Sequence, residues 1–224
     1  MRASILFCLT ALSSLLSGMS AAADDAATSD CVLTDQQSVY AVAMDQQVTL
    51  ITEMSGEAGL LPGADFKLVL SDGQTIDLGS GGKFIDQDGM PCDMHLKEAT
   101  SPITNSLGGQ GVFFDSQEIV DMRSFDKLLR TCKPMEKPAD DWMVDVFEKS
   151  REARSWQSNY LNCEPIVWMM EMGADFSKTD IDTFDRLLSV NAPLIAVPYS
   201  AYGWNIMALD LENAKAVELF YSGC

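Results

Sequence analysis

Two linked features most limit what this chain can fold into: an N-terminal stretch built like an export leader, and five cysteines downstream of it. Arg2 gives a positive start, Ile5 to Leu16 is apolar, and small residues lead to Ala21-Ala22-Ala23 before the acidic Asp24-Asp25. That layout combines a charged start, an apolar core too short to span a bilayer, and an A-x-A cleavage site. The expectation is a signal peptide over residues 1–23, cleavage near Ala23, and a mature chain that is periplasmic or secreted. Phe7 ahead of Cys8 is a poor fit to the small residue that precedes a lipidated cysteine, so no lipid anchor is expected.

In such a compartment thiols oxidise. Cys31, Cys92, Cys132, Cys163 and Cys224 follow the leader. An odd number allows at most two internal bridges. Cys31 and Cys92 lie in a β-rich stretch, and Cys132 and Cys163 flank a helical one. Pairing in that order is expected, with Cys224 a free thiol or the source of an intermolecular bond. Cys132–Cys224 and Cys163–Cys224 stay open. The spacings match no zinc pattern, which favours structural bridges.

Charge narrows the partners. The chain carries 33 acidic and 15 basic residues, a formal charge of −18. Such a surface repels nucleic-acid phosphates and anionic lipid heads, and favours a basic protein as partner. No apolar run after the leader reaches the roughly 20 residues of a membrane span. Val190 to Tyr199 is broken by Asn191, Pro193 and Pro198. The 47% hydrophobic content suffices for a packed core.

Along the chain, residues 24–115 read as a β-rich N-terminal domain. Phe66 to Leu70 and Thr75 to Leu78 flank Asp72-Gly73, a hairpin signal that predicts a type I′ turn. Ser38 to Met44 and Val48 to Glu53 have strand length, although Ala and Met suit helices too. Gly108-Gly109-Gln110-Gly111 punctuates the chain ahead of a short strand at Val112-Phe113-Phe114.

Residues 116–224 read as a helical C-terminal domain. Ile119, Met122, Phe125, Leu128 and Leu129 form one stripe. A helix capped by Asp140 or Asp141 and another from Asn162 to Gly173 should follow. Ser177 with Asp180 suggests a capping box for a helix through Leu188. Two short helices, Trp204 to Leu211 and Ala214 to Tyr221, would close the chain. The fold class expected is therefore α+β. Within the helical half, Ser124-Phe125-Asp126-Lys127-Leu128-Leu129 is echoed by Thr183-Phe184-Asp185-Arg186-Leu187-Leu188, and a Trp (Trp142, Trp204) follows each copy. Such an echo suggests a duplicated helix pair.

Ile166-Val167-Trp168-Met169-Met170-Glu171-Met172-Gly173-Ala174-Asp175 resembles the second helix and exit of an ankyrin repeat. Met207-Ala208-Leu209 with Ala216-Val217-Glu218-Leu219-Phe220 is similar to a shortened repeat of that kind. The resemblance implies protein binding through a helical surface and brings no catalytic residue with it.

For chemistry the chain offers little. His95 is the only histidine, so a multi-histidine metal site is excluded and any triad would have to use it. Met90, Cys92, Met94 and His95 together supply soft ligands of the kind that bind copper outside the cytosol. Asp86-Gln87-Asp88-Gly89 lacks the later bidentate Glu of a calcium loop, and Lys83 lacks the flanking residues of a phosphate loop. Asp140/Asp141 or Asp180/Asp182 could in principle serve carboxylate hydrolysis, yet their places at helix starts suit capping. The four tryptophans, Trp142, Trp156, Trp168 and Trp204, could anchor a partner or fill the core. No cofactor is expected. The reading that leads is a non-enzymatic protein-binding module; a secreted carboxylate hydrolase and a copper-handling protein are the alternatives.

Overall fold

Alternation of apolar and polar residues from Cys31 onward builds a four-stranded antiparallel meander in the computed structural model. The structure describes residues 31–56, 62–82, 92–114, 117–131, 148, 151–160, 163, 179–200 and 203–223. The meander runs β1 (Cys31–Ala41), β2 (Gln46–Gly56), β3 (Gly63–Val69) and β4 (Thr75–Gly82), in that spatial order. One face buries Val48, Leu50, Met54, Phe66, Leu68, Ile76 and Leu78. Helix α1 (Cys92–Leu107) covers that face with Ala99, Ile103 and Leu107, and the Cys31–Cys92 disulfide staples its start to the start of β1.

The hairpin between β3 and β4 forms as its sequence dictates, with a different turn. Only Gly73 takes a positive φ, +87°, and its N–H donates to the Leu70 carbonyl at 3.0 Å. A type I turn closed by a left-handed glycine replaces the expected type I′ turn, and Asp72 accepts the Gln74 N–H at 2.9 Å.

A short hairpin, β5 (Val112–Phe114) and β6 (Gln117–Ile119), leads into α2 (Met122–Thr131). Ile119 thus belongs to a strand and not to the helical stripe. A 3-10 turn (Trp156–Asn159) and α3 (Ile181–Ser189) precede a second antiparallel sheet: β7 (Leu194–Ser200), β8 (Gly203–Asp210) and β9 (Lys215–Gly223). The protein is α+β, with three α-helices among the described residues.

The β7–β9 sheet corrects two expectations. The segments Trp204 to Leu211 and Ala214 to Tyr221 fall on strands β8 and β9 and the turn between them, not on closing helices. With them goes the ankyrin-like reading of Met207-Ala208-Leu209 and Ala216 to Phe220; its other segment, 166–175, lies outside the described residues. The helix pair is likewise not repeated, since Trp204 sits in β8, and the expected helices after Asp140 and Asn162 also lie outside the described residues. The physical reason is burial on both faces. Ile195, Val197, Met207 and Leu209 join the core under the first sheet and α1. Leu194, Ile206, Ala208, Val217, Leu219 and Phe220 join a second core with α2 and α3. A strand wetted on neither side loses its period-two signature and reads as a plain apolar run.

The second core is aromatic. Trp156 is fully buried, stacks on Phe184 with ring centroids 5.0 Å apart and meets Phe125 edge-on at 5.5 Å. Its indole N–H donates to the Leu219 carbonyl at 3.3 Å, which satisfies the one polar atom it brings inside. Helices α2 and α3 enter this core in the same way. Asp121 accepts the Ser124 N–H at 2.8 Å, and Asp180 accepts the Thr183 N–H at 2.8 Å. Asp180 itself is therefore the α3 cap, where the capping box had been placed on Ser177.

Candidate binding cleft

Between α1 and the edge of β7 runs a cleft of about 530 Å³. One wall is the outer face of α1, where Glu98, Ser101, Pro102, Asn105 and Ser106 recur at three- and four-residue spacing. Ala196, Pro198 and Ser200 of β7, with Trp204 and Ile206 of β8, make the opposite wall. Gln110, Gly111 and Val112 close one end.

Helix α1 is built from poor helix formers, and its side chains show how it holds. Thr100 bonds back to the Leu96 carbonyl at 3.0 Å, Ser101 to Lys97 at 2.6 Å, and Ser106 to Pro102 at 2.8 Å. These hydroxyls donate to their own backbone, which leaves their oxygens as acceptors. Pro102, inside the helix, has no N–H to give the Glu98 carbonyl. The helix ends at Gly109 with φ +91°, beneath the Val42 side chain.

The β7 edge is closed to strand addition. The Leu194 N–H donates to the Val120 carbonyl at 3.0 Å, the Ala196 N–H donates to Ser106 Oγ at 3.2 Å, and Pro198 has no N–H. Trp204 lies directly opposite Pro198 in register and stays 38% exposed. On the reverse face, Tyr221 lies against Gly203, where an added Cβ would sit 2.0 Å from its hydroxyl, and Tyr199 meets that ring edge-on at 5.6 Å.

Among the described residues that line the cleft, Glu98 is the ionisable one, and no histidine stands beside the lining serines. His95 is buried in α1 and does not line the cleft, its Nδ1 without a hydrogen-bond partner among the described residues. Of the copper ligands, the Cys92 sulfur is bound in the disulfide to Cys31, Met94 is 45% exposed and His95 is buried. Cys92 in that bridge therefore supplies no thiolate. Met90, like 83–91 as a whole, lies outside the described residues. Among the described residues no three His, Cys, Asp or Glu side chains converge on one point.

The Asp180/Asp182 pair is divided between structural tasks. Asp180 caps α3, and Asp182 faces Arg154 at 3.1 Å. Asp140 and Asp141 lie outside the described residues. Cys163 is disulfide-bonded; Cys132 and Cys224 are outside the described residues. Of the tryptophans, Trp156 is core and Trp204 lines the cleft, whereas Trp142 and Trp168 are not described. Reading the sequence singled out Trp204 but missed Glu98, Pro102, Asn105 and Gln110, whose shared wall arises only once α1 exists. The hydroxyls at four-residue spacing ahead of Gly108-Gly109 were the available signal. No described helix is long and apolar enough to cross a membrane. No family model, curated protein or solved structure matches this chain.

Proposed function

We propose that this chain is an exported, non-enzymatic binding module that holds an extended segment of another protein in the α1–β7 cleft. The observation that carries the reading is the pairing of an apolar floor, Trp204 with Pro198 and Pro102, with amide side chains at Asn105 and Gln110. A volume of about 530 Å³ is the size of a recognition site. From Ala196 to Ser200 the wall runs about 13 Å along a strand, which suits an extended chain better than a compact ligand. Because the β7 edge offers no free donor at Pro198, recognition rests on side-chain surface and not on strand addition. Glu98 and the formal charge of −18 favour a basic residue in the bound segment. The Cys31–Cys92 bridge and the disulfide-bonded Cys163 support an oxidising compartment.

The test is titration with a panel of proline-containing peptides, basic and acidic, followed by calorimetry. Basic peptides should bind more tightly, and Trp204→Ala should weaken binding by about tenfold, as expected of an aromatic anchor. Glu98→Gln should narrow the preference for basic peptides. Absence of binding by every peptide, or equal binding by wild type and Trp204→Ala, would overturn the proposal.

A further inference from the structure

The two sheets treat their edges in opposite ways. The second sheet closes its outer strands: β7 by Val120, Ser106 and Pro198, and β9 in part by Thr179, whose hydroxyl donates to the Glu218 carbonyl at 2.5 Å. Among the described residues strand β1 has none of these devices. It is 11 residues long, pairs with β2 in unbroken register, and contains no proline, lysine or bulge. Among the described residues no backbone or side-chain group bonds to its outer edge. Bare edges of this length are normally blunted, because they template the pairing of another strand.

The sequence of β1 is self-complementary about Gln36. From these relations the geometry points to a two-fold dimer in which β1 of one copy pairs antiparallel with β1 of a second, joining the two meanders into one continuous eight-stranded sheet. A two-fold perpendicular to the sheet keeps the solvent faces together, so it pairs only residues of matching parity. Centred on Gln36, it sets Val32 (72% exposed) opposite Tyr40 (50% exposed) of the second copy, twice. Thr34 then faces Ser38, and on the α1 side Leu33 faces Val39 and Asp35 faces Gln37.

Charge rules out the neighbouring register centred on residue 35. Asp35 is the only charged residue of the strand, in a chain with 33 acidic residues. Within one copy the Gln37 side-chain amide already donates to its carboxylate at 2.7 Å. Centring the pair on residue 35 would set Asp35 against itself, whereas centring on 36 sets it against an amide. The second copy is favoured over a foreign strand because this one register matches every exposed apolar side chain of β1 with another. The edge is distinct from the α1–β7 cleft, so the inference stands apart from the peptide reading.

Sedimentation equilibrium of the full oxidised chain, with disulfide trapping, tests it. The wild type should dimerise reversibly at micromolar concentration, more tightly as salt screens the −18 charge of each copy. Gln36→Glu should weaken the dimer about fivefold by opposing two carboxylates, with unchanged circular dichroism. Gln36→Cys should trap a covalent dimer under mild oxidant beyond the wild-type background. Thr34→Cys and Ser38→Cys should each fail alone and succeed as an equimolar mixture. A wild type that is monomeric throughout, a dimer indifferent to Gln36→Glu, or Thr34→Cys trapping as well as Gln36→Cys would each overturn the proposal.

Discussion

Arg186 of α3 donates through Nη2 to the buried carboxylate of Asp210 at the end of β8, at 2.5 Å. Asn213 completes the carboxylate's shell through its side-chain amide at 2.9 Å, so one acid joins α3 to the β8–β9 turn. The other guanidinium nitrogen, Nη1, is buried without a partner among the described residues. Removing Asp210 therefore strands a cation that is already short of acceptors. Asp210→Ala is expected to cost about 2–3 kcal/mol, less than the roughly 3–5 kcal/mol of a fully buried broken pair because Arg186 is partly exposed. Asp210→Asn, which keeps the shape, should cost roughly half of that. Urea unfolding of the variants measures both, and a change below about 0.5 kcal/mol for Asp210→Ala would remove the pair from any structural role.

Three aspartates among the described residues are held below the ordinary carboxylate range. The Arg186 hydrogen bond holds Asp210 below the ordinary carboxylate range, with Asn213 assisting. The Thr183 backbone N–H does the same for Asp180. At Asp121, burial pushes upward, but hydrogen bonds from the Ser124 backbone, Asn191 and the Ser124 hydroxyl outweigh it. In each case the folded pKa lies below the unfolded one, so the stabilisation is complete above about pH 4 and fades as pH falls through the folded value. Protonating the many other carboxylates relieves repulsion and acts the opposite way, so the informative quantity is a difference. The stability gap between wild type and Asp210→Asn should stay level from about pH 7 to 5 and close below about pH 4. A gap that persists to about pH 2.5 would contradict this.

The caps of α2 and α3 give a matched pair of substitutions. Asp121→Ala and Asp180→Ala each remove one side-chain acceptor from a helix start and should cost about 1 kcal/mol. Asp121 should be the costlier, because the Asn191 amide also donates to it at 3.0 Å, while Asn191 Oδ1 accepts the Arg123 N–H at 3.0 Å. Losing Asp121 thus loosens the bridge from α2 to the residues after α3, where Asp121 pairs with Pro193. Chemical denaturation resolves the order. Equal costs, or Asp180 the larger, would show that the bridge adds nothing.

Where local chemistry chose the structure, the sequence could be read. Asp72-Gly73 announced its hairpin, Phe125 with Leu128 and Leu129 marked α2, and Phe184 with Leu187 marked α3. Two elements were hidden for opposite reasons. Helix α1 carries Thr100, Ser101, Pro102, Thr104 and Ser106, which argue against a helix until the hydroxyls bond back to carbonyls and the apolar face finds the first sheet. In β8, Ile206 to Asp210 is buried on both faces, so no alternation survives to tell strand from helix. Both elements form the cleft, and so the cleft was illegible while Trp204, one of its residues, stood out. The ankyrin likeness failed on the same strands, because Met207 to Leu209 and Ala216, Val217, Leu219 and Phe220 are apolar for the sake of two cores, not one helical face. The Cys31–Cys92 pairing was expected because both cysteines lie in the β-rich half, although Cys92 opens a helix that the sequence did not reveal.

That disulfide fastens the first layer of the protein. Cys31 opens β1 and Cys92 opens α1, 61 residues later, and their Cα atoms are 5.7 Å apart. Closing a loop of that length in the unfolded chain is worth up to about 4 kcal/mol, and measured bridges commonly deliver about 2–4. Helix α1 depends on it more than its length suggests, because its interior holds a proline and little intrinsic helix propensity. Cys31→Ser should therefore lower the melting temperature by several degrees and expose the α1 side of the first sheet. Hydrogen exchange should report the loss first at Ala99, Ile103 and Leu107. The amides of the second core, around Trp156 and Phe184, should respond last. Uniform loss of protection across both cores in Cys31→Ser would show that the two cores open as one unit and that the bridge guards the whole chain, not the α1 layer alone.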